Sequence, residues 1–372
     1  MTRVLMTADT VGDVWGYACE LVAALAPCGV EVTLATMGRA LSPLQARRVA
    51  PIGNLEIVES SYALEWMPEP WSEVDAAGDW LLALAAQVRP DLVHVNGYAH
   101  AALPFGVPVI VAAHSCVWTW MRAVHGRDPG PSWREYHRRV RAGLATADVV
   151  VAPTAAILRA ILEAYSVRPR SRVIPNGCVA AGWRPAGKAE IVLSAAPLWD
   201  EAKGLADLAA CARRVDWPIV VAGSTVPPGG EPSIPTRGLH LLGELPPDQL
   251  AAWMARASIF ALPARYEPFG LAILEAALAG CTLVLGDIAT LREVWGDTAV
   301  YVPPGDPEAL GCTLAALAAD PLSRSVHAAR SRARARTLSP ARMAAAYRAL
   351  YDELLVGRDA RKEASPMKRR EL

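Results

Sequence analysis

Ile259-Phe260-Ala261-Leu262-Pro263-Ala264-Arg265-Tyr266-Glu267-Pro268-Phe269-Gly270-Leu271-Ala272-Ile273-Leu274-Glu275-Ala276-Ala277-Leu278 places a strand, a turn and a helix in succession. The run Ile259–Leu262 has the length of a short buried strand, and the run Leu271–Leu278 reads as a helix. Between them Pro268 fixes the chain as it enters the turn at Gly270. The backbone N–H groups of Phe269, Gly270 and Leu271 would stand at the helix N-terminus, where an anion such as a phosphate is favoured. With a helix start near Phe269, Glu275 falls about two turns inside and Glu267 just outside. Carboxylate oxygens accept well from sugar and ribose hydroxyls, so a phosphate seat flanked by two acids fits a nucleotide sugar. A capping glutamate plus a solvated one is the plain structural alternative.

The same alternation of short apolar runs and Ala/Leu-rich amphipathic stretches extends outward in both directions. Upstream lie Val4–Met6, Ala18–Ala26, Val30–Ala35, Leu92–Val95, Val107–Ala112, Val149–Val151, Ala155–Ala164 and Arg172–Ile174. A second series runs through Ile191–Ser194, Leu205–Arg214, Ile219–Ala222, Leu239–Leu242, Leu250–Ala257, the quoted stretch, Thr282–Leu285 and Val300–Val302, with a helix from about Pro307. The pattern predicts an α/β fold of two tandem, doubly wound parallel sheets. Polar, turn-rich Pro175–Gly187 reads as the linker, giving domains at 1–178 and 186–339 and a last helix from Pro340 to about Leu355. The Arg/Ala run Ala328–Arg336 reads as a solvated helix face.

The 372 residues suffice for two domains, each with its own core. Lys plus Arg and Asp plus Glu both number 37, so there is no basic excess of the kind a nucleic-acid partner requires. No apolar run reaches the roughly 18 residues that span a bilayer, and Met1–Met6 enters a strand-like segment directly, so the expected location is cytoplasmic. Seven scattered cysteines show neither C-x-x-C nor zinc spacing and read as small buried hydrophobes.

Three further sites follow strands. Thr7 to Gly16 leaves the first strand, with Gly12 allowing close backbone approach; it lacks G-x-G-x-x-G, which speaks against a nicotinamide cofactor. His114 ends the run Val107–Ala112 at its C-terminal edge, where open sheets place ligands. Lys203, in Leu198–Gly204, reads as a mobile ammonium able to neutralise a diphosphate. Leu242-Gly243 ends a strand where backbone groups could meet a base. On the acceptor side the candidates are Asp13, Trp15, Asn96 and Trp118. Trp118, Trp120, Trp133, Tyr136 and His125 stand among arginines between Ser115 and Arg141, which suits an acceptor platform, an anionic membrane surface at which the protein would be peripheral, or simply a solvated helix over buried tryptophans.

On the strings Arg265–Glu275, Asp200–Gly204 and Asp9–Gly16, the chain from Met6 to about Leu355 resembles the retaining glycosyltransferases of family 4 (GT4), whose signature is E-x7-E. The resemblance implies a GT-B fold: two Rossmann-like domains facing a cleft, with 340–372 crossing back to the first. It implies transfer of a hexose from a nucleotide sugar to an acceptor hydroxyl on a glycan, lipid or small metabolite, with retention by front-face attack and with no metal or other cofactor. Glu267, His114 and Lys203 take the catalytic roles: Glu267 at the donor sugar, His114 on its far side, Lys203 on the leaving diphosphate. Gly12, Leu242, Phe269, Gly270, Leu271 and Glu275 join Lys203 and Glu267 in binding the donor, Glu275 at the ribose. Two positions depart from the family pattern, Asp13 where a second Gly is usual and Pro197 where an Arg precedes the Lys. They keep open a catalytically weak binding protein, alongside an epimerase or phosphorylase on the same fold. Donor base, sugar, acceptor and oligomeric state have no readable code.

Overall fold

A computed structural model describes residues 1–12, 14–226 and 236–364. They divide into two compact units. Unit 1 comprises Met1–Thr119, Pro129–Gly177 and the segment from Pro340, and unit 2 comprises Trp120–Asp128 and Cys178–Ser339. The short segment Trp120–Asp128 thus joins the second unit although it lies within the sequence of the first.

In chain order unit 1 runs β1 (Thr2–Asp9), α1 (Val14–Leu25), β2 (Val30–Met37), α2 (Pro43–Val49), β3 (Leu55–Glu59), α3 (Trp71–Val88), β4 (Leu92–Val95), β5 (Val109–Ala112), α4 (Val117–His125), α5 (Arg134–Thr146), β6 (Val149–Ala152), α6 (Ala155–Tyr165) and β7 (Ser171–Val173). The last residues of α4 belong to unit 2. Unit 2 continues with β8 (Ala189–Ala195), α7 (Leu205–Cys211), β9 (Ile219–Ala222), β10 (His240–Gly243), α8 (Pro247–Arg256), β11 (Ala257–Leu262), α9 (Leu271–Leu278), β12 (Thr282–Gly286), α10 (Ala289–Trp295), β13 (Val300–Val302), α11 (Pro307–Ala319) and α12 (Pro321–Ala335). The final helix, α13 (Pro340–Ala364), returns to unit 1 and packs on α1. The helix runs past Leu355, the end expected from the sequence, because Arg, Lys, Glu and Ala recur beyond that point and are good helix formers. Among the described residues no helix is long and apolar enough to cross a membrane.

The sheet of unit 1 has the order β3-β2-β1-β4-β5-β6-β7 and that of unit 2 the order β10-β9-β8-β11-β12-β13, with every described pairing parallel. In unit 2 the alternation of side chains along each strand sends Leu193, Val220, Phe260 and Leu283 to one face and Val192, Ile219, Val221 and Ile259 to the other, and each face has its own buried cluster. The first cluster takes in α9 and α10, the second α7 and α11. Lys188 ties α8 to α9: its partly buried ammonium donates to the carbonyls of Ala257 at 2.8 Å, Ala279 at 2.9 Å and Met254 at 3.2 Å. Burial lowers its pKa, and the carbonyls it meets close the ends of α8 and α9.

The strand β3 and the helix α3 lie in a stretch where sequence periodicity marks no element. β3 is a five-residue strand with no fully buried position, and α3 carries polar residues through its first half. The run Ala328–Arg336 also differs from a solvated face. Arg332 Nε donates to the Leu278 carbonyl at 3.1 Å and Arg334 Nε to that of Val294 at 2.7 Å, so α12 is fastened to the C-terminal ends of α9 and α10.

Candidate functional site

Both sheets reverse their strand order once, between β1 and β4 and between β8 and β11. At such a point the loops leave to opposite sides and open a crevice at the carboxyl ends of the strands. The strings singled out in the sequence follow these strands.

In unit 2, Asp200 begins a 3-10 turn, Glu201–Lys203, by accepting the Ala202 N–H at 3.0 Å. Gly204 closes it at φ 74°, where an added Cβ would sit 2.5 Å from the Pro263 carbonyl oxygen. The Arg265 N–H donates to the Ala202 carbonyl at 2.8 Å, so the loops after β8 and β11 are stitched together. Lys203 Nζ consequently donates to Glu267 Oε2 at 2.9 Å, with the two residues only 7% and 9% exposed. This corrects the expectation of a mobile ammonium: the tight turn presents the lysine to the neighbouring loop rather than to water. Removing either member would strand a buried charge.

The Thr290 hydroxyl donates to the Glu267 carbonyl at 2.6 Å. Phe269 is 3% exposed and lies in the core, so its ring anchors the turn and is not available to a ligand. The helix begins at Leu271, two residues later than the start considered from the sequence. Gly270 precedes it at φ 86°, no side chain caps it, and its first internal bond runs from the Leu274 N–H to the Gly270 carbonyl at 3.1 Å. The N–H groups aimed outward are therefore those of Leu271, Ala272 and Ile273. Half-buried Glu275 stands about one turn into the helix, not two. Leu242 is half-buried against the core. Arg265 faces Asp207 at 3.8 Å, whose other oxygen accepts the Gly305 N–H at 3.1 Å.

The segment Trp120–Asp128 backs the lysine loop. Trp120 Nε1 donates to Asp200 Oδ1 at 3.0 Å, His125 Nε2 lies 2.9 Å from Glu201 Oε1, and the Trp120 and His125 rings meet edge to face at 5.3 Å. These two side chains, read from the sequence as part of a platform, clamp the turn that carries Lys203.

In unit 1, Asp9 accepts the N–H groups of Gly12 at 2.7 Å and Val11 at 3.1 Å, and burial raises its pKa. Gly12 itself is exposed, and Asp13 lies outside the described residues. Asn96, just past β4, donates its N–H to Thr7 Oγ1 at 3.0 Å and its Nδ2 to the Thr7 carbonyl at 2.7 Å. Its Oδ1 then faces His114 Nε2 at 2.9 Å, which makes Nε2 the protonated nitrogen and leaves Nδ1 as an acceptor. Burial lowers the His114 pKa to about 4, so the ring is neutral at pH 7.

An aromatic stack supports this ring. Tyr17 meets His114 edge-on at 4.5 Å and shares a 2.6 Å hydrogen bond with the Tyr347 hydroxyl of α13, while His94 Nδ1 pairs with the Tyr351 hydroxyl at 2.8 Å. Trp15 is buried, and its indole N–H has no partner among the described residues. Trp118 is buried too, stacked parallel to Tyr136 at 6.2 Å and 4.7 Å from His137. It belongs to the core, which removes it from the acceptor-facing set.

Sequence inspection missed Glu65, whose carboxylate accepts the N–H groups of Ala99 at 2.8 Å and Tyr98 at 3.1 Å beside Gly97. Burial raises its pKa to about 7. A lone glutamate in a loop carries no signal of this. Tyr17 and Tyr347 sit on helices at positions that read as ordinary core. Among the described residues no group of three or more His, Cys, Asp or Glu is placed to hold a metal ion.

Two family models match the chain, Glycosyltransferase Family 4 over residues 14–180 and Glycosyl transferases group 1 over residues 189–320. The chain is 30% identical over 273 residues to the glycogen synthase of Mycobacterium tuberculosis, an alignment covering 66% of this chain and 64% of that protein. It thus spans just under two thirds of that relative's length. The sucrose-phosphate synthase of Thermosynechococcus elongatus matches at a TM-score of 0.79 and 18% identity, over 96% of this chain and 100% of that one. Anabaena HepE, solved with UDP-glucose, matches at 0.71 and 16%, over 96% and 100%. At these identities the likeness is one of fold, and that fold is GT-B.

Proposed function

We propose that this chain, which belongs to the group 1 glycosyltransferases of family 4, moves a hexose from a nucleotide sugar to an acceptor hydroxyl with retention at the anomeric carbon. The observation that carries this reading is the buried Lys203–Glu267 pair next to the uncapped start of α9. A buried ion pair adds little net stability, so charges held at a strand-order reversal point to ligand chemistry. A diphosphate fits there: the N–H groups of Leu271, Ala272 and Ile273 meet its oxygens, and the lysine, with three donors, can serve Glu267 and a phosphate oxygen together.

Glu267 positions the donor sugar, Glu275 takes the ribose hydroxyls, and the backbone near Leu242 meets the base. In unit 1 the neutral His114 offers Nδ1 to a sugar hydroxyl. Held in an ion pair, Glu267 is a weakened nucleophile, which favours front-face attack with a donor phosphate oxygen accepting the acceptor's proton. The protein then accelerates transfer mainly by stabilising charge on the departing diphosphate. Sugar transfer is supported by the glycogen synthase relative, and a nucleoside diphosphate as leaving group by the UDP-glucose held in HepE.

The test is turnover of labelled UDP-, ADP- and GDP-hexoses with a panel of acceptors, the product's anomeric configuration being read by NMR. The wild type is expected to give a product with the donor's configuration. The neutral variant Lys203→Met/Glu267→Gln is expected to be slower by at least about a hundredfold, or about 3 kcal/mol. Near-normal turnover by that variant, or an inverted product, would overturn the assignment.

A further inference from the structure

Eight residues of α9, a length of about 12 Å, separate the start of the helix from a second feature at its other end. There a cavity of about 340 Å³ is lined by Ala180, Trp183, Arg184, Leu278, Arg332 and Arg336. Its guanidinium groups come from two places: Arg184 follows Trp183 just after the 3-10 turn Ala180–Gly182, and Arg332 in the last turn of α12 is followed one turn later by Arg336, the residue that caps the helix. No carboxylate is among the lining residues.

Other arginines of α12 are committed within the protein: Arg330 pairs with Asp297, and Arg334 donates to the Val294 carbonyl. Arg332 donates its Nε–H to the Leu278 carbonyl, and both residues line the cavity; the guanidinium has further N–H donors beyond that one. The side chains of Arg184 and Arg336 make no hydrogen bond or ion pair among the described residues. Three like charges converging on a partly enclosed space repel one another, and an anion between them reverses the sign of that interaction. Half-buried Trp183 packs against the core and adds an indole to the same wall.

We propose that this cavity binds a phosphate ester carried on a ring, with the phosphate among Arg184, Arg332 and Arg336 and the ring against Trp183. Guanidinium forks match phosphate oxygens in pairs, and an indole face accepts either a planar base or the C–H face of a sugar. The volume falls at the small end of ligand pockets, which suits a mononucleotide or a sugar phosphate. The site lies at the opposite end of α9 from Lys203 and uses none of the donor-binding residues. The ester comes either from a soluble metabolite or from an inositol lipid headgroup, since both present the same chemistry.

Calorimetry with ribose 5-phosphate, referenced to inorganic phosphate, tests the soluble source. Sedimentation with phosphatidylcholine vesicles, with and without phosphatidylinositol, tests the lipid. In whichever arm shows binding, the affinity is expected to be the same in the wild type and in Lys203→Met/Glu267→Gln, and at least tenfold weaker in Arg184→Gln/Arg336→Gln, whose two residues are exposed. Trp183→Leu is expected to abolish the preference for the ring ester over inorganic phosphate. The proposal is overturned by binding in neither arm, by binding that survives loss of the two arginines, by loss of binding in the Lys203/Glu267 variant, or by inorganic phosphate binding as tightly as the ring ester.

Discussion

At the carboxyl edge of the unit 1 sheet, Asn96 divides its amide between Thr7 and His114 and leaves a neutral acceptor. At the same edge of the unit 2 sheet, a lysine and a glutamate meet as full charges. The two places are equivalent in topology, each lying where the strand order turns back. Their chemistry is opposite because the loops differ. In unit 1 the polar groups lie over a stack of tyrosines and histidines that excludes charge, and His94 is pushed down to about 3 by that burial. In unit 2 a 3-10 turn and an uncapped helix collect an ammonium and free amides. Under the proposed function the neutral hydrogen-bonding edge would take hydroxyls and the charged edge phosphate. The parallel sheet supplies the location, and the side chains of two loops supply the selectivity.

The sharpest way to break the contrast is to remove one charge. Lys203→Met or Glu267→Gln alone should cost about 3–5 kcal/mol in urea denaturation, because the partner is left buried, and the double variant should recover most of that. A loss in the double variant equal to the sum of the two single losses would mean that the pair is not coupled.

Acid should act mainly on unit 1. The folded state refuses protons at His114 and His94, with pKa values of about 4 and about 3, that the unfolded chain accepts near 6.5. Their contribution is fully present above pH 6.5 and is lost as pH falls through the folded values, on the order of 3 kcal/mol for His114. Glu65 opposes this: its folded pKa, raised to about 7, stabilises at low pH and loses its effect as pH rises from about 4.5 to 7. Glu65→Gln should therefore steepen the acid limb of a stability-against-pH curve, and an unchanged slope would remove Glu65 from the account.

Gly270→Ala should cost about 1–3 kcal/mol, since the residue is held at φ 86° and a Cβ would sit 2.5 Å from Ile273 Cδ1. It should also weaken nucleoside diphosphate binding by calorimetry, since the amides it positions would shift. Smallest is Tyr17→Phe or Tyr347→Phe, at about 1 kcal/mol each for one buried hydrogen bond. A thermal-melting double-mutant cycle should show the two to be coupled, with diphosphate binding in unit 2 untouched.

What was legible followed from local pattern. The helix Leu271–Leu278 has the limits its apolar run suggests, and the strands flanking each reversal are short, continuous apolar runs. The positions of the candidate residues at strand ends were legible for the same reason. Their partners were not. Lys203 and Glu267 are 64 residues apart and Tyr17 and Tyr347 are 330 apart, distances over which no sequence period operates. Trp118 stood among the acceptor-side candidates because it lies in a stretch rich in aromatics and arginines, and which of the readings of that stretch held was decided by its neighbours in space, Tyr136, His137 and Tyr165.

The sequence by itself determined that this protein is a succession of parallel βα units with acids and glycines at particular turns, because strand and helix periods arise from sterics between near neighbours in the chain. Only the tertiary structure decided that Lys203 is buried against Glu267, that His114 is neutral with a defined tautomer, and that three arginines converge on Trp183. Each of those depends on which loops the strand order sets side by side and on how much water the surrounding packing leaves.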